Sequence, residues 1–447
     1  MNSHSHNQDL TRRDFIKGGS AATLMGLLGG IELSARAAEA EAPAVAVAKT
    51  RCAVIGLGSW GREIVSTLSR IPAAEVAAVC DTYGASLRRA ARSAPGAAQV
   101  DDYRKILEDD SVPAVIVATP THLHREIVVN ALEAGKQVYC EAPLAHTIED
   151  ARAIALAARK ASSQHFQSGL QLRADKHRAF VLNFIRSGAR GKAVAARAQY
   201  LKKQSWRQAA PSPERERELN WRLNRETSVG MVGELGIHQL DASNWIHDAL
   251  PVSVTGFGSM LLLRDGRELP DTSHLVVEYG NGVRLIQTCT LANSFEGEYE
   301  VYYGTDGTVT FMGSKSWLFK EADAPLLGWE VYARKDSFYQ ETGIALMMDA
   351  SKQKSLTQEV TDVITPLQYA LENFLRSASD VRAAVEDFTS NYGEDEEALK
   401  EHMATVPRQA GAGYLEGYQA TVLAIKAHEA IMKNERVELP SSLFELA

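Results

Sequence analysis

Residues 51–61 form a short apolar run that passes straight into Gly56-x-Gly58-x-x-Gly61, with Trp60 inside the motif. Gly56 permits a tight turn, Gly58 lets backbone amides approach a pyrophosphate, and Gly61 lets a helix pack closely on a strand. The anion then sits at a helix N-terminus, where unpaired N–H groups and the helix dipole favour negative charge. A second apolar run, 75–80, ends in Asp81, twenty residues after Gly61. There a carboxylate is placed to accept from a ribose 2′-hydroxyl and to repel a 2′-phosphate, which selects NAD over NADP. Strand, glycines, helix, strand and acid arrive in the order a dinucleotide site requires.

A second constellation lies at Glu234, His238 and Asp241, spaced by four and then three. On a helix these project from one face. One reading takes His238 as the acid/base that exchanges a proton with a substrate hydroxyl, since its ordinary pKa lies near neutrality. Glu234 would orient it or bind a second hydroxyl, and Asp241 would brace the helix or touch substrate. The same spacing also fits a helix with a few satisfied polar residues, or metal ligation. No second cluster at metal-ligand spacing accompanies it, so no metal is expected. Thr119, Pro120, His122 and His124 share one loop, and Glu141 begins another. Arg173 and Arg222 read as substrate or cofactor contacts, or equally as surface salt bridges.

Buried apolar runs at 114–118 and 137–140 alternate with amphipathic stretches at 103–108, 125–134 and 148–160. That alternation predicts a doubly wound parallel sheet with its chemistry in loops at the carboxyl ends of the strands. Beyond residue 173, strand-like runs at 252–263, 274–279, 283–291, 299–303 and 308–312 are joined partly by hairpin signals such as Gly280-Asn281-Gly282. The fold expected is α/β: an N-terminal Rossmann domain over 50–172, then an α+β domain over 173–447 with an open antiparallel sheet. Residues 386–402 read as an acidic, solvated excursion, and 414–434 as a terminal helix that packs back on the first domain.

The motifs at 56–61, Cys80-Asp81, Ala-Thr-Pro-Thr-His-Leu-His at 118–124, 134–138 and Glu-Ala-Pro-Leu-Ala at 141–145 together resemble the Gfo/Idh/MocA family of nicotinamide-dependent sugar and polyol oxidoreductases. The likeness spans 50–175 and is carried more weakly by Trp221-Arg222 and by 233–241. It implies bound NAD contacted by Trp60, Thr119, Pro120, His124 and Glu141, with His124 near the nicotinamide ribose. Glu234 takes the place where the family often has Asp. The resemblance also implies a small carbohydrate or polyol as substrate, and homo-oligomerisation through the face of the second-domain sheet. One departure matters. The family's Glu-Lys-Pro, whose ammonium holds the reacting hydroxyl, here reads Glu141-Ala142-Pro143, and a methyl cannot stabilise a developing alkoxide. Three readings follow: another cation such as Lys202 or Lys203 substitutes; the chain is an NAD-dependent glycoside hydrolase using transient oxidation and elimination; or it is a catalytically inactive binding protein.

The chain has 447 residues, a net charge of -8 and only four cysteines. That length calls for two domains, the charge excludes a phosphate-backbone binder, and the cysteines cannot form a disulfide framework. Thr11-Arg12-Arg13-Asp14-Phe15-Ile16-Lys17, an apolar run and Ala35-Arg36-Ala37 resemble a twin-arginine export signal over 1–37, the alternative being an ordinary Sec signal. Residues 38–49 then read as a linker. The apolar run is too short to span a bilayer, so no membrane span is expected after processing. The expected partner is the twin-arginine export machinery, and the expected location is the periplasm. Twin-arginine-exported members of the family keep their nucleotide bound.

Overall fold

The computed structural model describes residues 49–313, 315–325, 327, 337–340, 343–349 and 364–446. The stretch read as an export signal, 1–37, and all of the stretch read as a linker but Lys49 lie outside the described residues. The first half builds β1 (Thr50–Ile55), α1 (Ser59–Leu68), β2 (Ala74–Cys80), α2 (Gly84–Ala90), β3 (Ala98–Val100), α3 (Arg104–Leu107) and β4 (Ala114–Val117). It continues through α4 (His124–Glu133), β5 (Gln137–Cys140), α5 (Ile148–Lys160) and β6 (Phe166–Ser168). The strands pair in parallel in the order β3-β2-β1-β4-β5-β6, so the chain reverses direction between β1 and β4 and opens a crevice at their carboxyl ends. Every residue of β4 and β5 is buried, as a parallel sheet covered on both faces demands.

The second half adds α6 (Lys176–Phe184), β7 (Ala193–Leu201), α7 (Pro213–Leu219), α8 (Ile237–His247), β8 (Pro251–Ser259), β9 (Thr272–Tyr279), β10 (Arg284–Thr290) and β11 (Glu298–Gly304). Then come β12 (Gly307–Met312), β13 (Lys315–Glu321), β14 (Ser337–Gln340), β15 (Gly343–Asp349), α9 (Pro366–Tyr392), α10 (Glu396–Thr405), α11 (Tyr414–Lys433) and β16 (Arg436–Glu438). The sheet runs β14-β15-β13-β12-β11-β7-β10-β9-β8-β16. It is mostly antiparallel, but β7 and β10 are parallel. The long crossover through α7, α8 and the β8–β9 hairpin returns β10 alongside β7, which is why local turn signals could not show that pair.

Alternation along β1 decides which side each residue serves. Cys52 and Val54 face a core closed by Leu367, Leu371 and Phe374 of α9. Ala53 and Ile55 face the other core, which takes in Ile154 of α5 and Val422 and Leu423 of α11. The C-terminal helices therefore complete the first domain, so the two domains are not two consecutive stretches of chain. The region read as a solvated excursion, 386–402, is mostly exposed but helical: it is the end of α9 and the first part of α10, with Phe388 the buried exception. Cys52, Cys80, Cys140 and Cys289 are buried free thiols.

Candidate active site

A cavity of about 1010 Å³ opens at the carboxyl ends of β1, β2 and β4. Its floor is the glycine turn. Gly56 has φ +95°, and a Cβ on Gly61 would stand 1.8 Å from the Gly56 carbonyl oxygen, so both positions require glycine. A Cβ on Gly58 would meet nothing within 4 Å, which leaves its backbone open to the cavity. Gly58 caps α1 without a side-chain hydrogen bond, and the first turn of α1 holds no acidic residue. That end of the helix suits an anion. The Asp81 carboxylate accepts from the Leu57 N–H at 2.9 Å and the Tyr83 N–H at 2.7 Å. These bonds fix it beside the turn, with lone pairs left for ribose hydroxyls. Gly56, Gly58, Trp60, Gly61, Asp81, Thr119 and Pro120 all line the cavity. The Thr119 hydroxyl is buried with no described partner, so a polar group of the dinucleotide can satisfy it. The residues present fit NAD.

The loop after β4 sorts its two histidines oppositely to the expectation. His124 is fully buried, with Nδ1 near the carbonyls of Pro143 and Leu144 and Nε2 3.0 Å from that of Thr119. It ties two loops together, and burial pulls its pKa down to about 4. His122 is the one that lines the cavity. The 3₁₀ turn at Thr121–Leu123 separates the two rings. Glu141 is also buried rather than lining; desolvation pushes its carboxyl up to about 7, opposed by polar contacts from Trp60, the Ala142 backbone and Tyr139.

At the far end of the cavity lie Trp221 and Arg222, from the segment between β7 and α8. The Arg222 guanidinium sits over the Trp221 ring at 4.4 Å and faces Trp206 at 5.9 Å. It also approaches the Glu234 carboxylate at 3.5 Å. Glu234 accepts from the hydroxyls of Thr121 and Ser228, both at 3.2 Å, so it bridges the two domains. Burial pushes its carboxyl up, while Arg222 pulls it back.

The structure does not hold Glu234, His238 and Asp241 on one working face. Residues 232–236 form a π-helical turn, which shifts the α-helical register before His238 is reached. His238 instead lies near the charges of Glu300 and Arg178; burial lowers its pKa to about 4, and it does not line the cavity. Asp241 forms a two-pronged ion pair with Arg173, at 2.9 Å from Nε and from Nη2. This pair lines a separate cavity of about 320 Å³ with Trp245 and Glu416, so neither residue reaches the dinucleotide end. Lys202 is exposed and exerts its charge on Glu298. It does not line the cavity.

Sequence reasoning missed Tyr83, Arg215 and His146. Arg215 of α7 lies over the Tyr83 ring at 4.7 Å, closing the segment 202–222 over the ribose end. His146 stands edge-on to His122 with ring centroids 6.1 Å apart. Its place four residues beyond Ala142 was the available signal.

Fold and cavity together define a two-domain protein that binds a nicotinamide dinucleotide at a Rossmann crevice. Residues 50–169 match the oxidoreductase family with an NAD-binding Rossmann fold, and residues 180–310 match the GFO/IDH/MocA C-terminal domain. The chain belongs to the GFO/IDH/MocA family. It is 27% identical over 234 residues to a levoglucosan dehydrogenase of Pseudarthrobacter phenanthrenivorans, covering 47% of this chain and 58% of that protein. It is 30% identical over 214 residues to scyllo-inositol 2-dehydrogenase (NAD(+)) of Bacillus subtilis, covering 48% of this chain and 58% of that protein. The chain thus matches 58% of the length of each of these relatives. A levoglucosan dehydrogenase solved with NADH and levoglucosan shares the fold at TM-score 0.65 and 19% identity, covering 88% of this chain and 100% of that one.

Proposed function

We propose that this protein is an NAD-dependent oxidoreductase acting on a hydroxyl or carbonyl of a small sugar, polyol or derivative. The observation that carries the reading is one continuous cavity, with the glycine turn and Asp81 at one end and Trp221, Arg222 and His122 at the other. Bound NAD supplies a two-electron hydride acceptor. The glycine turn and the start of α1 hold its pyrophosphate, and Asp81 holds a ribose. Trp221 offers a flat apolar face to a sugar ring, while Arg222, held by Glu234, offers directional polar contacts to its hydroxyls. The relatives named above are dehydrogenases of an anhydrosugar and of an inositol, which favours net oxidation over transient oxidation and elimination. The test is a panel of levoglucosan, inositols and aryl glycosides, scored by nicotinamide absorbance and by aglycone release. Reduction of NAD by a polyol without aglycone release is the expected result. Aglycone release without net reduction would move the assignment to a hydrolase, and silence in both assays with NAD bound would indicate a binding protein.

We further propose export by the twin-arginine route, retained nucleotide and assembly into a homo-oligomer. Thr11 to Lys17 supports the first. Because the periplasm offers no free nicotinamide pool, an exported enzyme needs slow nucleotide release, with the hydride returned in the same cycle or passed to a second substrate. The Arg215–Tyr83 contact over the ribose end supports retention. Phe257, Ile286 and Met312, exposed on the sheet strands, support association of a second copy through that sheet. Light scattering on the mature protein should give more than one chain's mass.

A further inference from the structure

We propose that residues 208–220 form a clasp over the adenosine half of the dinucleotide, latched by Arg215 on the Tyr83 ring, and that its opening sets the rate of nucleotide exchange. This assignment rests on the NAD-binding reading above and supplies the device that nucleotide retention needs. Tyr83 stands two residues beyond Asp81, the carboxylate placed for the adenosine ribose, and its N–H donates to that carboxylate at 2.7 Å. Its ring therefore lies at the adenosine end of the cavity. Arg215 comes from the other domain, on α7, and its guanidinium lies 4.7 Å from the centre of that ring. Both side chains are half-buried. Gln208, Pro211, Arg215 and Leu219 line the same cavity as Tyr83, so the second domain contributes a wall to the adenosine end.

The segment is built to move as a unit. Its two ends are tied to each other: the Gln208 N–H donates to Asn220 Oδ1 at 2.8 Å, and Asn220 Nδ2 donates back to the Gln208 carbonyl at 3.0 Å. A surface segment of this length with its ends joined is an Ω-loop. Asn220 Nδ2 also donates to the Glu216 carbonyl at 3.0 Å, which fastens α7 inside the loop. Yet α7 buries no residue of its own. Its ion pairs to the flanking chain, Glu216 with Arg207 and Arg217 with Glu226, are exposed and hold it weakly. Segments with few buried apolar contacts open at low cost. Just beyond the loop the chain is anchored. Asn220, Trp221 and Leu223 are buried, and the Leu223 carbonyl accepts from the Glu268 N–H at 2.9 Å. The hinge therefore falls at the joined ends, and Trp221 stays in place when the loop lifts. Arg215 reaches across the domains to Tyr83, so lifting must first break that cation–π contact.

The experiment uses the mature protein loaded with NADH, whose fluorescence is followed after excess NAD is added. Arg215→Ala and Tyr83→Ala should each raise the dissociation rate about three- to thirtyfold, the worth of one cation–π contact. The double variant should release NADH no faster than the faster single variant, because both substitutions remove the same contact. Arg215→Lys, which keeps a cation, should recover part of the wild-type rate. The contact joins two protein side chains, so NADH entry into stripped Arg215→Ala, followed by stopped flow, should speed up along with exit. Hydrogen exchange across 208–220 should be slowed by NAD in the wild type and be faster in Arg215→Ala. The melting temperature of that variant should stay close to that of the wild type, since α7 buries nothing. Dissociation from Arg215→Ala within about twofold of wild type, below the smallest effect of such a contact, would overturn the clasp. Faster exit without faster entry would also overturn it, by placing Arg215 on the nucleotide rather than on a latch. Rapid nucleotide exchange in the wild type would defeat the retention reading, while a further rise in Arg215→Ala would still support the clasp. Wild-type protein that binds no NADH would remove both.

Discussion

The two ends of the cavity are built on different scales. At the dinucleotide end the defining residues come from one β-α-β unit: Gly56, Gly58, Gly61 and Asp81 meet because β1, α1 and β2 are consecutive. At the other end His122, Trp221 and Arg222, with Glu234 behind them, come from three separated segments and meet only when both domains are folded together. The first end is fixed by local geometry, so its residues have little freedom to differ. The second is assembled by packing, which lets the chemistry change while the fold stays. Ala142, standing where the family resemblance implies a lysine, illustrates that freedom.

The largest expected contrast lies between two arginines. Arg222 lines the large cavity, whereas Arg173 is paired with Asp241 beside a separate one. Arg222→Ala should lower kcat/KM by about tenfold or more, the worth of a hydrogen bond to a charged group. Arg173→Ala should lower the melting temperature yet keep kcat/KM within the same order of magnitude as wild type. Loss of turnover at Arg173 comparable to that at Arg222 would show that the second cavity shares the chemistry.

Next in size is the support beneath the dinucleotide end. Phe374 of α9 is fully buried against Tyr139, with centroids 5.7 Å apart. Phe374→Ala should cost about 3–5 kcal/mol of stability by urea denaturation. A cost below 1 kcal/mol would show that the C-terminal helix is not part of the Rossmann core.

Asp81→Ala should weaken NAD by about 1.5–3 kcal/mol, the range for hydrogen bonds to a charged group, and should narrow the preference over NADP. Calorimetric titration of nucleotide-stripped protein measures both. An unmodified protein that already prefers NADP would contradict the ribose assignment.

The last contrast, which involves no substitution, is the pH dependence of stability. His124, His165, His238, His247 and His428 each have pKa values lowered to about 4, with burial the leading cause. Their unfolded values lie near 6.5, so below that pH the unfolded chain binds protons that the folded chain refuses. Stability should therefore fall as pH drops from about 6.5 toward 4, by up to about 1.4 kcal/mol per pH unit for each group. A melting temperature flat across that window would mean these rings are not held neutral.

What could be read in the sequence follows the same division. The glycine turn, Asp81 and the β-α alternation were legible because each rests on spacing within about 30 residues. His122 and His124 could not be told apart, since a 3₁₀ turn sends neighbouring side chains in different directions. The shared face assigned to Glu234 and His238 assumed 3.6 residues per turn, and the π-turn at 232–236 breaks that assumption. Arg173 and Asp241 look like polar residues available for substrate, but tertiary packing pairs them across 68 positions. Lys202 was chosen for its charge, and charge alone says nothing about which way a strand end faces.

The most direct measurement of the central claim uses the purified mature protein after exhaustive dialysis, with no nucleotide added. Acid extraction should release NAD in near-equal proportion to protein. Mixing the dialysed protein with levoglucosan or myo-inositol should raise the reduced-nicotinamide absorbance in one burst of that same amount. Protein that yields no nucleotide on extraction, shows no burst, and turns over only when NAD is supplied would contradict a retained cofactor. Protein that also failed to reduce added NAD with any sugar or polyol would contradict the oxidoreductase assignment itself.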